Sequence, residues 1–239
     1  MLTKTKGIVL RKLNYSETSL IVDIFTEEHG LMSYIISGVR QPKSRTGSAV
    51  LQLMSIVDLV AYHSEKTKLH RIKEVQAAYV FRNVPGDVRK NAIILFLAEL
   101  CSKVIRQTER NKELYQMMED TVRALDQAQE HFADTHLLFM IRLADLLGFG
   151  PEERKSSESG FFDLLDGRFT SRMPDHEYYL REPDLFNRYL ITARQQGVKN
   201  VSSDRITRNR MLDTLLLYFQ LHIDKMPEIQ GHKVLREIL

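Results

Sequence analysis

"YSETSLIVDIFTEEHGLMSYIISGVRQPKSR", residues 15–45, decides the fold of the N-terminal region. Leu20, Val22 and Ile24 alternate with their neighbours, which is the period of a β-strand with one buried face. The EEHG that follows predicts a tight turn in which Gly30 can take a positive φ. A second apolar run comes directly after it. The stretch therefore predicts a β-hairpin that leads into a basic loop.

The basic loop is not balanced by any acid. It contains Arg40, Lys43 and Arg45 between the hairpin and the next apolar run. Residues 1–82 hold 12 Lys and Arg against 7 Asp and Glu, a net charge of +5, whereas the remaining residues carry a net charge of −2. A cationic N-terminal region favours a polyanionic partner.

Further strand patterns surround the hairpin. GIVLRKLNY precedes it, and VLQLMSIVDLVAYHS and KLHRIKEVQAAYVF follow the basic loop. About five strands with short connections match the size of a small closed barrel such as the OB-fold. We therefore predict an OB-fold nucleic-acid-binding domain over residues 1–82.

The hydrophobic period changes to that of helices after residue 83. In the first helix Ile93, Leu97, Leu100 and Cys101 share one face,. A second helix is predicted with Leu114, Met118 and Val122 on its inner side,. Further helices are predicted over ADTHLLFMIRLADLL with Gly148 past its end, near 184–196 and near 204–224. Residues 150–183 predict an irregular, polar insert. The predicted fold class is α+β, with a helical domain over 83–239.

Catalytic motifs are absent from the sequence. It has no GxSxG, Walker A, GxGxxG or HExxH pattern,. The single cysteine, Cys101, lies on an apolar helix face and is predicted to be buried. An acidic cluster in the insert leaves a magnesium-dependent nuclease as an alternative, although a polar turn explains it more simply. Its members are Asp163, Asp166, Asp175, His176 and Glu177. We predict no enzymatic activity, no metal and no cofactor.

The basic residues of the barrel are the candidate DNA contacts. Cations along a groove with nearby aromatic side chains (Tyr34 and Tyr62 among them) are how barrels of this size hold single strands. An ordinary solvated charged face is the competing interpretation. The candidates are Arg11, Lys12, Tyr15, Arg40, Lys43, Ser44, Arg45, Lys66, Lys68, Arg71 and Lys73.

Several of these residues belong to a recognisable motif. Residues 14–45 resemble the N-terminal signature of the RecO family of bacterial recombination mediators. LLGFGP at 146–151 and the final HKVLREIL are also similar to that family. The matching positions in the signature are Tyr15, Ser16, Glu17, Ser19, Phe25, Thr26, Gly30, Gly38, Arg40, Lys43 and Ser44.

The resemblance implies a function. Members of the family bind single- and double-stranded DNA, anneal complementary strands and, with RecR and in some species RecF, load RecA onto DNA coated by single-stranded-DNA-binding protein. They also bind the acidic, apolar C-terminal tail of that coating protein. Many carry two CxxC pairs that form a zinc ribbon, but residues 150–183 contain no cysteine here. We therefore expect a DNA-repair mediator without zinc.

The resemblance and the apolar helix at 133–147 together suggest a pocket for that tail. Phe139, Arg142, Leu143 and Leu146 are its candidate residues, and burial of the helix on all sides is the competing interpretation,. No apolar run is long enough to span a membrane and no signal peptide is evident, so we expect a cytoplasmic, nucleoid-associated protein. An RNA-binding OB-fold adaptor remains an alternative function.

Overall fold

The computed structural model describes residues 1–39, 48–64, 67–106, 109–154, 160–195, 201 and 203–239. The chain forms two compact units. One contains Met1–Gln127 and Ile229–Gly231, and the other contains Ala128–Glu228 and His232–Leu239. The predicted domain boundary between residues 82 and 83 stays a prediction. The first unit contains the two helices that follow the barrel as well as the barrel itself.

A closed five-stranded barrel forms the core of the first unit. Its strands are β1 (Leu2–Asn14), β2 (Leu20–Thr26), β3 (Gly30–Ile36), β4 (Ile56–Tyr62) and β5 (Leu69–Ala77). They are ordered β1-β2-β3-β5-β4, and only β3 and β5 run parallel. This arrangement confirms the predicted OB-fold.

The long first strand closes the barrel. Its N-terminal part pairs with β4 from Leu2 to Ile8, and its later part pairs with β2 from Gly7 to Asn14. Around Gly7 the strand thus has neighbours on both sides. A Cβ at this position would lie 2.3 Å from Ile24 Cγ2, so only glycine allows the strands to approach this closely,.

Alternating side chains of the strands fill the barrel interior. Val9, Val22, Ile24 and Leu59 are almost fully buried there. The predicted turn between β2 and β3 is present, and Gly30 has a φ of 65°. Its positive φ explains why glycine ends the EEHG sequence.

Two helices, α1 (Val88–Val104) and α2 (Lys112–Gln127), complete the first unit. Asp87 caps α1 by accepting a hydrogen bond from the backbone N–H of Arg89,. The predicted inner face of α1 is confirmed, since Ile93, Leu97 and Cys101 are fully buried. Burial also raises the pKa of the Cys101 thiol,.

Helices dominate the second unit. They are α3 (Thr135–Leu147), α4 (Asp184–Arg194), α5 (Arg205–His222) and α6 (Gly231–Ile238), although the first residue of α6 is grouped with the barrel. Helix α3 contacts both α4 and α5. Gly148 ends α3 with a φ of 88°, as the sequence predicts,. Helix α6 was not predicted, because its eight residues carry only a short periodic pattern.

The insert contains a small three-stranded sheet where the sequence predicts irregular structure. Strands β6 (Phe161–Asp163), β7 (Arg168–Thr170) and β8 (Tyr179–Leu180) are ordered β7-β6-β8. Strands of two or three residues are too short for alternation to be visible in the sequence. Phe162 is fully buried in β6 and packs against Phe169 and Phe186.

Candidate nucleic-acid interface

One row of side chains crosses all five barrel strands on the outside. Leu13 of β1 lies opposite Ile21 of β2, which lies opposite Ile35 of β3. Arg71 of β5 lies beside Ile35 and opposite Tyr62 of β4. Tyr62 in turn lies opposite Leu2 at the start of β1. We name this row the outer belt, and it consists of Leu2, Leu13, Ile21, Ile35, Tyr62 and Arg71.

The outer belt is unusually apolar for an accessible surface. Leu2, Leu13 and Tyr62 are 47%, 43% and 50% exposed. Ile21 and Ile35 are half-buried. Solvent therefore reaches a continuous strip of large apolar side chains with one arginine in its middle, which is typical of a binding surface.

A second row runs beside the belt. Arg11 lies opposite Asp23, Asp23 opposite Ser33, and Ser33 beside Leu69. The Asp23 carboxylate already has two partners in this row. It accepts a 2.6 Å hydrogen bond from Ser33 and lies 3.6 Å from the Arg11 guanidinium. This acid therefore offsets only one of the neighbouring cations.

Six of the predicted DNA contacts lie in the described part of the barrel, and all are exposed: Arg11, Lys12, Tyr15, Lys68, Arg71 and Lys73. Lys73 pairs with Glu74 at 3.3 Å, but Lys12, Lys68 and Arg71 form no ion pair with any described residue. Arg40, Lys43, Ser44, Arg45 and Lys66 lie outside the described residues. The assignment of all of them to DNA binding stays a prediction.

The two other tyrosines that the sequence places near these cations differ in position. Tyr34 is fully buried inside the barrel, so it is not a stacking platform and that interpretation is wrong. Its position opposite Val22, an inward residue, already fixes this direction. Tyr62 is exposed beside Arg71.

Ile21 and Ile35 were missed as surface residues, although apolar residues at outward positions of an alternating strand were a signal for them.

Three histidine rings meet at one mouth of the barrel. The ring centroid of His63 lies 4.4 Å from that of His29 and 4.6 Å from that of His70. The Tyr34 hydroxyl and Nε2 of His63 form a 3.2 Å hydrogen bond. Burial, the neighbouring histidines and the N-terminal ammonium lower the pKa of His63 to about 4. At neutral pH His63 is therefore a predominantly neutral packing partner of the other two rings.

An open cavity of about 550 Å³ lies where the barrel leads into α1. Fully buried Asp126 stands at its wall and accepts hydrogen bonds from the Tyr79 hydroxyl and from the backbone N–H groups of Arg82, Asn83 and Val84. Burial opposes the charge on Asp126, but these donors outweigh it and lower its pKa. The carboxylate thus fixes the connecting segment in place.

Three members of the acidic cluster, Asp163, Asp166 and His176, form contacts within the insert. Asp163 accepts hydrogen bonds from the backbone N–H groups of Leu165 and Asp166, and its other oxygen lies 3.3 Å from Nε2 of His176. Asp166 pairs with Arg168 at 2.6 Å. Within the described ranges, no three His, Cys, Asp or Glu side chains are arranged to hold a metal ion.

A zinc ribbon does not fit this insert. Zinc ribbons need four sulfur or nitrogen ligands, and the segment 150–183 has no cysteine and only His176 as a nitrogen ligand. Hydrogen bonds to Asp163 organise the turn between β6 and β7 instead. Gly167 supports that turn with a φ of 68°.

The predicted tail pocket lies on α3. Phe139 and Leu143 are buried, with 1% and 0% of their surface exposed, whereas Arg142 is exposed and Leu146 is half-buried. Only Arg142 and Leu146 therefore offer surface to a partner in this arrangement. The pocket as a whole stays a prediction.

Comparison with known proteins agrees with this architecture. The family model for the N-terminal part of recombination protein O matches residues 1–81, and the model for its C-terminal part matches residues 85–228. The DNA repair protein RecO of Phocaeicola vulgatus is 35% identical over 240 residues, covering 100% of this chain and 99% of that protein. The protein of the same name from Bacteroides fragilis is 34% identical over 241 residues, with coverages of 100% and 99%.

The barrel and the matched relatives define an OB-fold protein of DNA repair and recombination. Within that class, the chain belongs to the RecO family. None of the helices in the described ranges combines the length and hydropathy required to cross a membrane.

Proposed function

We propose that this protein is a non-enzymatic recombination mediator. It binds single- and double-stranded DNA, anneals complementary strands and, with RecR, helps to load RecA onto DNA coated by single-stranded-DNA-binding protein. It acts in the cytoplasm at the nucleoid. The observation that carries the proposal is the outer belt of the barrel, where exposed apolar side chains flank Arg71, in a chain of the RecO family.

The charges of the barrel support phosphate binding. Arg71 and Lys68 are exposed and unpaired among the residues whose structure is described, and Lys12 extends the cationic surface on β1. Each cation that neutralises a phosphate releases a counterion, so affinity decreases with salt concentration. Phosphate contacts carry no information on base sequence, which suits a mediator that acts along any strand.

The absence of catalytic motifs from the sequence also supports a mediator. Annealing and RecA loading need no covalent chemistry. They need surfaces that hold two strands or displace a coating protein. We further propose that Arg142 and Leu146 of α3 contribute to the binding of the coating protein's tail.

A salt titration tests the DNA surface. In the Lys68→Ala/Arg71→Ala variant we expect the slope of log affinity against log salt to become shallower by ~1.4 to ~1.8, at ~0.7 to ~0.9 for each lost contact. The matched control is Arg172→Ala/Arg210→Ala, which removes two exposed cations from the other unit and should leave the slope unchanged. Equal slopes in both variants would remove these two residues from the interface.

The mediator activity itself is tested by annealing. Complementary strands, precoated with the cognate single-stranded-DNA-binding protein, are mixed with the pure protein and duplex formation is followed by fluorescence. We expect annealing by the wild type, slower annealing by Lys68→Ala/Arg71→Ala, and intact strands after incubation with magnesium. Strand cleavage would instead favour a nuclease.

A further inference from the structure

The apolar content of the outer belt exceeds what phosphate contacts require. A duplex presents phosphates and sugars at its surface, and its base faces are stacked inside. A single strand also offers unpaired base faces, which stack on aromatic and apolar side chains. The exposed Tyr62 and Leu13 thus match a ligand that is both anionic and partly apolar.

We propose that Tyr62, acting beside Arg71, is a base-stacking site that makes the barrel prefer single-stranded DNA to duplex. This inference rests on the proposed function and adds to it the residue that separates the two kinds of DNA. Cations alone bind both forms, so the preference has to come from groups that contact unpaired bases.

The register places the two side chains together. Tyr62 of β4 and Arg71 of β5 are directly opposed, and opposed side chains have Cβ atoms about 5 Å apart,. A base stacked on the Tyr62 ring would therefore hold its own phosphate within reach of the arginine. Ile35 lies on the other side of Arg71 and extends the apolar surface to β3.

The Tyr62 ring is available for stacking. Half of the residue's surface is exposed, and the ring has no partner ring within the described part of the chain. Leu2, directly opposite on β1, supports one side of it. A tyrosine held between neighbouring strands loses little conformational freedom when a base stacks on it.

Charge identifies nucleic acid as the occupant of this sheet face. A protein partner with an apolar surface would suit the leucines alone, but the belt carries Arg71 in its centre and Lys68 precedes the same strand. Residues 1–82 have a net charge of +5. An anionic ligand with flat apolar groups is complementary to both features.

The test compares single-stranded and duplex DNA of the same sequence, by fluorescence anisotropy at one salt concentration. We expect Tyr62→Ala to weaken binding of the single strand by roughly 5-fold to 150-fold, the cost of one lost stacked base. Binding of duplex should change by less than about twofold. Tyr62→Phe keeps the ring and should keep the preference, whereas Arg71→Ala should weaken binding of both forms.

An abasic single strand provides a second measurement that needs no variant. The wild type should bind it as weakly as Tyr62→Ala binds the normal strand, and Tyr62→Ala should lose little more on the abasic strand. Urea midpoints of all variants show that each is folded. An equal loss of single-strand and duplex affinity in Tyr62→Ala, or no loss in either, would overturn the inference.

These outcomes separate the inference from the proposed function. If the wild type binds neither form of DNA, the proposed function itself fails. If it binds both forms and Tyr62→Ala leaves their ratio unchanged, only the stacking site is wrong. Retention of DNA affinity together with loss of a protein partner would likewise overturn the stacking site and mark the belt as a protein interface.

Discussion

The three histidines at the barrel mouth should make stability depend on pH. His29, His63 and His70 come from the turn after β2, the end of β4 and the start of β5, so their contact holds three separate segments together. The backbone N–H of Ser64 donates to Nδ1 of His70 at 3.4 Å, which requires that nitrogen to be unprotonated. The N-terminal ammonium, bound to the backbone oxygen of His63, adds a further positive charge.

The folded state should therefore lose stability in acid. The pKa of His63 is lowered from 6.5 to about 4, so the unfolded chain takes up a proton first as the pH falls,. We expect the urea midpoint to decrease between pH about 6.5 and about 4, and His63→Gln to make this decrease smaller.

His131→Gln is the control for this experiment, because the side chain of His131 is 74% exposed. That variant should show the same pH dependence as the wild type. A pH dependence that His63→Gln leaves intact would place the responsible groups elsewhere, with buried His136, whose pKa burial lowers to about 3, as the next candidate.

At the scale of elements, the strands were easier to predict than the surface that they form. Long alternating strands and the Gly30 turn identify the barrel directly in the sequence. The sequence does not give the register that joins residues of five strands into the outer belt. β-Bulges at Leu10 of β1 and at Lys73 of β5 also shift the alternation partway along these two strands,. The role of Asp126 was not predicted either. A carboxylate in the last turn of a helix is ordinarily unfavourable, and here the backbone N–H groups of residues 82–84 stabilise it by donating hydrogen bonds,.

Helix α3 shows the same limit. Its sequence is apolar on nearly every side, and such a helix is compatible with complete burial or with a groove. The structure buries His136, Leu137 and Leu138 as well as Phe139, which leaves Arg142 as the exposed charge of the helix.

A substitution of Arg142 therefore tests whether α3 contributes to binding of the coating protein's tail. We expect Arg142→Ala to leave thermal unfolding nearly unchanged and to weaken binding of the coating protein's C-terminal peptide several-fold, because a charge-assisted hydrogen bond is lost. Isothermal titration calorimetry measures this affinity. Arg172→Ala, another exposed arginine, should bind the peptide normally. Unaltered affinity in a folded Arg142→Ala protein would place the pocket elsewhere.

At the scale of the whole molecule, the chain should fold without metal. Backbone hydrogen bonds to Asp163 and the packing of Phe162 against Phe169 and Phe186 organise the insert. Elemental analysis of purified, untagged protein should find far less than one zinc per chain, and EDTA should leave the unfolding temperature unchanged. A stoichiometric zinc content would contradict this expectation.

The two-sided pairing of β1 has a consequence for biosynthesis. Strand β1 leaves the ribosome before the other strands of the barrel, yet its Leu2–Ile8 part finds its partner only when β4, Ile56–Tyr62, has been made. Pairings this distant in sequence form slowly, because closing the intervening loop costs entropy. Until then the nascent chain exposes an unpaired strand edge and the side chains of the future barrel interior. Chaperone binding during translation should accordingly be strongest for chains that end before β4 is complete.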